Sequence, residues 1–503
     1  MVDSESCLLK SVFNICINLN DEILEKEKKN ENLTFIDHYA FQASSYIISL
    51  IHNKVMINRK TICSAFILRS LIECMSLMKM YSAGKIPECA TDLLNEYNYI
   101  VEYNIYKRYE KELDGKAFDF KQIQENYELT KAKYKDHVNL TPGKFKKLIG
   151  SKVPFLLDEY SFDEIIKNNC QDYYKFYRLL SVIVHPSDLL LTYPTLQNED
   201  LQPLTFRLFS DFLDIVAKEY KEYNFKCKKT LNDELLLIFP QNINSQYLDY
   251  GTKEKDSLYN IAEIIEKKFK ENSISYILKE LGNSIEEMAI DKTFGFSEIV
   301  KCKFKPVMEI LATYNYIRKL PHTVETKYLE ELFTISTRIN LMEIYEDNSI
   351  EQINKAFELY KNVKSNISYE DFSKNYKYTL GFIPYKQSFN QFVRTLIDDF
   401  VKKDDTLNAH MKMVYDESQF LSHANGYMIS SNTGAFMEYS SVIVFVDYLT
   451  LALLDYYIKW AMVYNITEGN GSYSKFIDSI LENKNTLSKI ANDKNRMDKN
   501  NNK

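Results

Sequence analysis

Apolar positions recur along this chain at the three-and-four spacing of amphipathic helices almost from end to end. Residues 60–83 (KTICSAFILRSLIECMSLMKMYSA) are apolar on most sides and stop at Gly84, which predicts a central, buried helix. Thr141-Pro142 predicts the start of a short helix that stops at Gly150. Ser161-Phe-Asp-Glu164 and Ser349-Ile-Glu-Gln352 are capping boxes. The first opens a helix predicted from 161 to 184, where Pro186 forbids its continuation, and another amphipathic helix is predicted over 199–226. Residues 228–255 break the pattern with Asn, Pro and Gly and read as a linker, in which LLLIF, near 234–239, has strand character without a partner elsewhere. The longest apolar stretch, 440–464, is interrupted by Asp447 and Asp455, which favours a buried core helix over a membrane span.

The two halves of the pattern resemble each other. Leu77-Met78 followed by Tyr81 and Ile86 repeats, at one constant offset, as Leu341-Met342 followed by Tyr345 and Ile350. KFYRLLSVIVHPS (175–187) aligns with MVYDESQFLSHAN (413–425), matching Tyr177 to Tyr415 and His185 to His423. A long apolar helix follows each His. The expected architecture is all-α: two related helical bundles in tandem, a pseudo-dimer. Residues 1–226 form the first bundle, 227–255 the linker, 256–466 a degenerate second copy, and 467–503 a polar tail.

Composition narrows this reading. Only 12 Gly and 10 Pro occur in 503 residues, well under the usual combined share of about 12%. Sandwiches, barrels and Gly-rich nucleotide folds, which use these residues at their connections, are thereby disfavoured. The net charge of −7 excludes a polycation, so any nucleic-acid contact must be local. The eight cysteines include no C-x-x-C pair, which predicts buried free thiols in a reducing compartment. The N-terminal segment lacks a basic start followed by an apolar block, so no signal peptide is expected and the location reads as cytoplasmic, away from membranes.

Most catalytic signatures are missing. The chain has no Walker-type loop, no G-x-G-x-x-G, no G-x-S-x-G and no H-E-x-x-H, and its seven His form no metal-ligand spacing, so neither metal nor cofactor is expected. One polar constellation remains, Tyr177, Arg178, Ser181 and His185 in FYRLLSVIVH. Positions 177, 181 and 185 advance about 40° per step on a helix and share a face. Such a stripe in an apolar helix must be met by partners or face a cleft. A helix C-terminus also favours the charged form of a His at position 185. Arg69 and Glu73, one turn apart in AFILRSLIECM, are either an internal ion pair or a second cation of the same cleft with the carboxylate that orients it. In the second half only Tyr415 and His423 keep the stripe. Thr337, Asp416 and Gln419 align with Glu73, Arg178 and Ser181.

LRSLIE in one helix with YRLLSVIVHPS in a later one resembles a bacterial helical family, domain of unknown function 5677, over about residues 35–225. Arg178-x6-His185 also resembles the R-x4-6-H signature of the HEPN superfamily, with Leu179 where a polar residue is usual. That resemblance implies a helical bundle and a metal-independent ribonuclease of toxin or phage-defence type, with its site where two bundles meet. Arg178 would then bind the scissile phosphate, and His185 would act on the ribose 2′-hydroxyl. Tyr177, Ser181, Arg69, Glu73, Tyr415 and His423 would support them. The expected partner is RNA, with a homodimer or a protein partner left open. The alternative is a non-enzymatic binding or regulatory module that uses the same cleft for a nucleotide or a protein.

Overall fold

The computed structural model describes residues 2–53 except 30, 61–138 except 87, 89 and 117, 161–184, 201–220, 245–269, 273–293, 297–317, 368–375, 389–401, 405–421, 423, 446–452, 454 and 481–490, with a few isolated positions between and after them. Among these residues the fold is all-α, with an isolated bridge between Asp114 and Phe118 and no strand. No helix among them is long and apolar enough to cross a membrane. The helices are α1 (Val2–Lys28), α2 (Phe35–His52), α3 (Ile62–Ser82), α4 (Ala90–Tyr106), α5 (Glu110–Leu113), α6 (Phe120–Val138), α7 (Phe162–Asn169), α8 (Gln171–Ile183) and α9 (Gln202–Glu219). They continue as α10 (Ser245–Phe269), α11 (Ser273–Thr293), α12 (Ser297–Ile317), α13 (Tyr369–Asn375), α14 (Phe389–Phe400) and α15 (Asp405–Leu421).

α3 lies at the centre because it is apolar all round, and nearly every residue from Ile62 to Met78 is buried. It ends as expected at Gly84, whose φ of +67° admits a Schellman closure: Lys85 N–H donates to Met80 O and Gly84 N–H to Tyr81 O. α1, α2 and α3 pack in succession, and α7, α8 and α9 cover α3. In the second half α10, α11 and α12 pack in succession, and α14 and α15 cover α12. α2 and α3 also contact α11 and α12, so one continuous apolar core runs through both halves.

Three local expectations change. The helix predicted over 161–184 is two helices, α7 and α8, broken at Cys170 (φ −140°, ψ 49°). The Ser161 capping box is present, but at the far end the Asn169 side chain donates to Ile165 O and competes with the backbone ladder. Residues 245–255 of the expected linker are helical. Gly251 and Gly282 are packing positions rather than breakers: a β-carbon on Gly251 would stand 2.6 Å from Ala289 Cβ, and one on Gly282 3.2 Å from Lys255 Cα. Within the expected polar tail, residues 481–490 are helical, with Leu487 and Ile490 buried. The short helix after Thr141, the LLLIF segment, the Ser349 box and the Leu341-Met342 repeat lie outside the described residues.

A buried polar knot ties the start of α3 to the α11–α12 hairpin. Glu280 Oε1 accepts the Ile62 N–H at 2.6 Å, which satisfies one of the free backbone donors at the N-terminus of α3. Glu287 accepts the hydroxyls of Thr61 (2.5 Å) and Ser64 (2.8 Å) and pairs with Lys303 (2.9 Å). Asp291 pairs with Lys303 at 2.7 Å and accepts from Ser49 and Asn53, both at 3.0 Å. Burial works against the Lys303 charge, but Asp291 and Glu287 outweigh it and raise its pKa.

Two predictions follow from this packing. Gly251→Val, which pushes α10 off α11, should lower unfolding stability by about 1–3 kcal/mol in urea titration; an unchanged midpoint would remove the close approach. Burial raises the Glu280 carboxyl from 4.5 to about 8, opposed by the Ile62 N–H. The folded state therefore keeps a proton that the unfolded state gives up between pH 4.5 and about 8, so this group's contribution falls as pH rises through that window. Glu280→Gln should flatten that part of the stability–pH curve.

Candidate functional site

The expected residues divide among three places. Arg69, Glu73, Tyr177 and His423 come together; Tyr415 lies in a matching group next to them; Arg178 and Ser181 are half-buried on α8 and take no part in the hydrogen bonds and ion pairs described for either group. His185 is outside the described residues.

The first group is built on α3. Arg69 and Glu73 face each other one turn apart, Nη2 to Oε1 at 3.5 Å, with side chains 5% and 0% exposed. Tyr177 of α8 donates its hydroxyl to Glu73 Oε1 at 3.2 Å, and burial, then the Glu73 charge, pushes that phenol well above its usual range. From the second half, His423 brings Nδ1 to 3.3 Å from Glu73 Oε2 and 3.3 Å from Arg69 Nη2. A single ring nitrogen either donates to the carboxylate or accepts from the guanidinium, so the imidazole's proton decides which neighbour it serves.

The backbone around His423 is fixed from both halves. Gln42 Nε2 donates to His423 O (3.1 Å), and the Tyr46 hydroxyl donates to Leu421 O (3.2 Å). The Cys302 thiol of α12 donates to Leu421 O at 3.2 Å. The His423 ring lies nearly parallel to Phe162 of α7, centroids 5.9 Å apart.

The matching group is built on α12. Lys305 Nζ lies 3.4 Å from Glu309 Oε1, again one turn apart, and Tyr415 of α15 donates to Glu309 Oε1 at 3.2 Å. Sequence alignment by Leu-Met pairs passed over Lys305 and Glu309. Their signal is a cation one turn before a Glu, then a Tyr: Glu73 and Tyr177 are 104 positions apart, Glu309 and Tyr415 are 106. The two groups meet at Phe66, whose ring centroid is 5.8 Å from Arg69 Cζ and 5.3 Å from Lys305 Nζ. Burial, followed by Arg69, pulls the Lys305 pKa down, while Glu309 holds it up.

Asp416, beside Tyr415, is committed elsewhere. It accepts from Arg394 (2.6 Å), the Tyr109 hydroxyl (2.8 Å) and Arg108 (3.0 Å). Arg178 makes no hydrogen bond or ion pair among the described residues; its charge acts on Tyr174, which donates to Asp163 at 3.0 Å. No group of three or more His, Cys, Asp or Glu among the described residues is arranged to hold a metal ion. No protein-family model, curated protein or solved structure matches the chain.

This division predicts unequal costs on unfolding stability. Glu73→Ala leaves a buried guanidinium without its carboxylate and should cost about 3–5 kcal/mol. Tyr177→Phe removes one neutral donor and should cost about 1 kcal/mol. Arg178→Ala should stay within about 0.5 kcal/mol of the parent, since the half-buried cation has no described partner to lose. Urea titration of the three variants checks the order.

Proposed function

We propose that the chain is a HEPN-like, metal-independent RNA-cleaving effector of toxin or phage-defence type, built from two related helical bundles in tandem. The observation that carries this reading is His423, a residue of the second half, held by Glu73 and Arg69 of the first. A carboxylate, an imidazole and a guanidinium in mutual reach are the parts that phosphodiester transfer needs: an oriented proton carrier and a cation for the phosphate. The tandem duplication is supported by the shared packing order, α1–α2–α3 with α7 and α8 against α10–α11–α12 with α14 and α15. It is supported again by Arg69, Glu73 and Tyr177 matching Lys305, Glu309 and Tyr415.

In this mechanism Glu73 accepts the His423 Nδ1 proton and fixes the ring, so proton exchange with the substrate runs through Nε2. One histidine takes the proton of the ribose 2′-hydroxyl, and the oxygen attacks the adjacent phosphorus. The histidine that acts on the 2′-hydroxyl is His185, as the resemblance implies, and the 5′-oxygen leaves with a proton from His423 Nε2. The products are a 2′,3′-cyclic phosphate and a free 5′-hydroxyl. DNA, lacking the 2′-hydroxyl, is not cut. Arg178, charged and half-buried, holds backbone phosphate outside the buried group.

A second reading, a non-enzymatic module that binds a nucleotide or protein, is favoured by the low exposure of Arg69, Glu73 and His423, whose side chains are 5%, 0% and 11% exposed. Incubating the purified chain with total RNA in EDTA separates the two. The nuclease reading expects fragments ending in 2′,3′-cyclic phosphate, with His423→Ala and His185→Ala each slowing cleavage about 100-fold or more. Overexpression should be harmful, and harmless in either variant. Intact RNA under all conditions would leave the binding module.

A further inference from the structure

Arg69 has more hydrogen-bonding capacity than its surroundings use. A guanidinium carries five N–H donors. Among the described residues Arg69 meets only Glu73 at 3.5 Å and His423 at 3.3 Å, both through Nη2, and its buried Nε has no hydrogen-bond partner. Both contacts are longer than the 2.7–2.9 Å or so of a charge-assisted bond. The residue is 5% exposed, so water does not make up the difference across most of its surface.

A second cation stands beside it. Lys305, from the other half, lies over the same Phe66 ring, and the Arg69 charge works against its own. Two like charges brought together in a medium of low dielectric repel strongly unless negative charge is supplied. Glu73 and Glu309 balance the two charges one for one, but Glu73 meets Arg69 through Nη2 and leaves the buried Nε without a partner, and each carboxylate also accepts a tyrosine hydroxyl at 3.2 Å.

We propose that Arg69 and Lys305 form a binding site for a phosphate-type oxyanion where the two halves meet. The unspent guanidinium edge takes phosphate oxygens in its planar fork, and the ammonium adds a point charge from the opposite half. The site stands without RNA cleavage. Only the identity of the phosphate as an RNA backbone phosphodiester rests on that reading, which then gives the scissile group to Arg69, with Arg178 outside it.

The probe is inorganic phosphate, added to the full chain at ionic strength matched with chloride and followed by thermal midpoint and calorimetric titration. Saturable stabilisation by phosphate beyond chloride is expected. Arg69→Gln and Lys305→Met should each weaken binding by about tenfold or more, as for loss of a charged hydrogen-bond partner. Lys121→Ala, at an exposed position, should leave it unchanged. Absence of a phosphate effect on the parent chain overturns the site, as does equal stabilisation of a folded Arg69→Gln. If Arg69→Gln does not fold, Lys305→Met and the parent titration decide. A 2′-deoxy oligonucleotide that competes with phosphate assigns the site to a backbone phosphodiester; a lack of competition assigns it to free phosphate. RNA cleavage without phosphate binding removes this site and keeps the nuclease reading. Phosphate binding without cleavage does the reverse.

Discussion

Charge buried in α12 sets the terms for everything packed around it. Lys301, Lys303 and Lys305 alternate along this helix, and their side chains are 7%, 1% and 11% exposed. An ammonium removed from water without a counter-charge costs several kcal/mol, so each needs a carboxylate. The three are met in three directions: Glu417 of α15, Glu287 and Asp291 of α11, and Glu309 on α12 itself. Apolar faces would allow α12 to slide or rotate against its neighbours. Lys301 and Lys303, with fixed partners on α15 and α11, define one register for the three helices, and through Thr61 and Ser64 the same knot fixes where α3 begins.

Tyrosine extends the same solution to carboxylates. The chain has 38 Tyr and an excess of acidic residues. Tyr220 donates to Asp37 (3.0 Å), Tyr173 to Asp211 (2.9 Å) and Tyr109 to Asp416 (2.8 Å), besides the pairs with Glu73 and Glu309. A phenol brings a large apolar ring into the core and delivers one donor to a carboxylate that has gone in with it. Each of these carboxylates also meets a cation, so the phenol adds a donor to a buried ion pair rather than replacing its counter-charge.

The fold class was legible because it depends on local signals. Periodicity, the Ser161 box and the stop at Gly84 are each written within a few residues. The α7–α8 break was not, because it lies in the backbone of one residue, Cys170, that nothing in the apolar pattern marks. Gly251 misled for a related reason: a glycine that permits close helix packing has the same letter as one that ends a helix, and only the neighbour Ala289 tells them apart. At the candidate site, Arg69 and Glu73 stood out as charges in an otherwise apolar helix. Lys305 and Glu309 did not, because KCKFKPVME reads as a polar face and Pro306, inside α12, resembles a boundary. That His423 would meet Glu73 is a contact between residues 350 positions apart, and no local pattern encodes it.

That separation bears on how the protein is made. Gln42 grips the carbonyl of His423 across 381 positions, and Tyr46 grips Leu421 across 375. During synthesis the first helices leave the ribosome long before the residues that complete their polar centre. Until then Arg69 and Glu73 have each other and Tyr177, but no imidazole. A chain that has not reached position 423 lacks that imidazole altogether, so Glu73 waits through 350 further residues of synthesis for the partner that completes its polar surroundings.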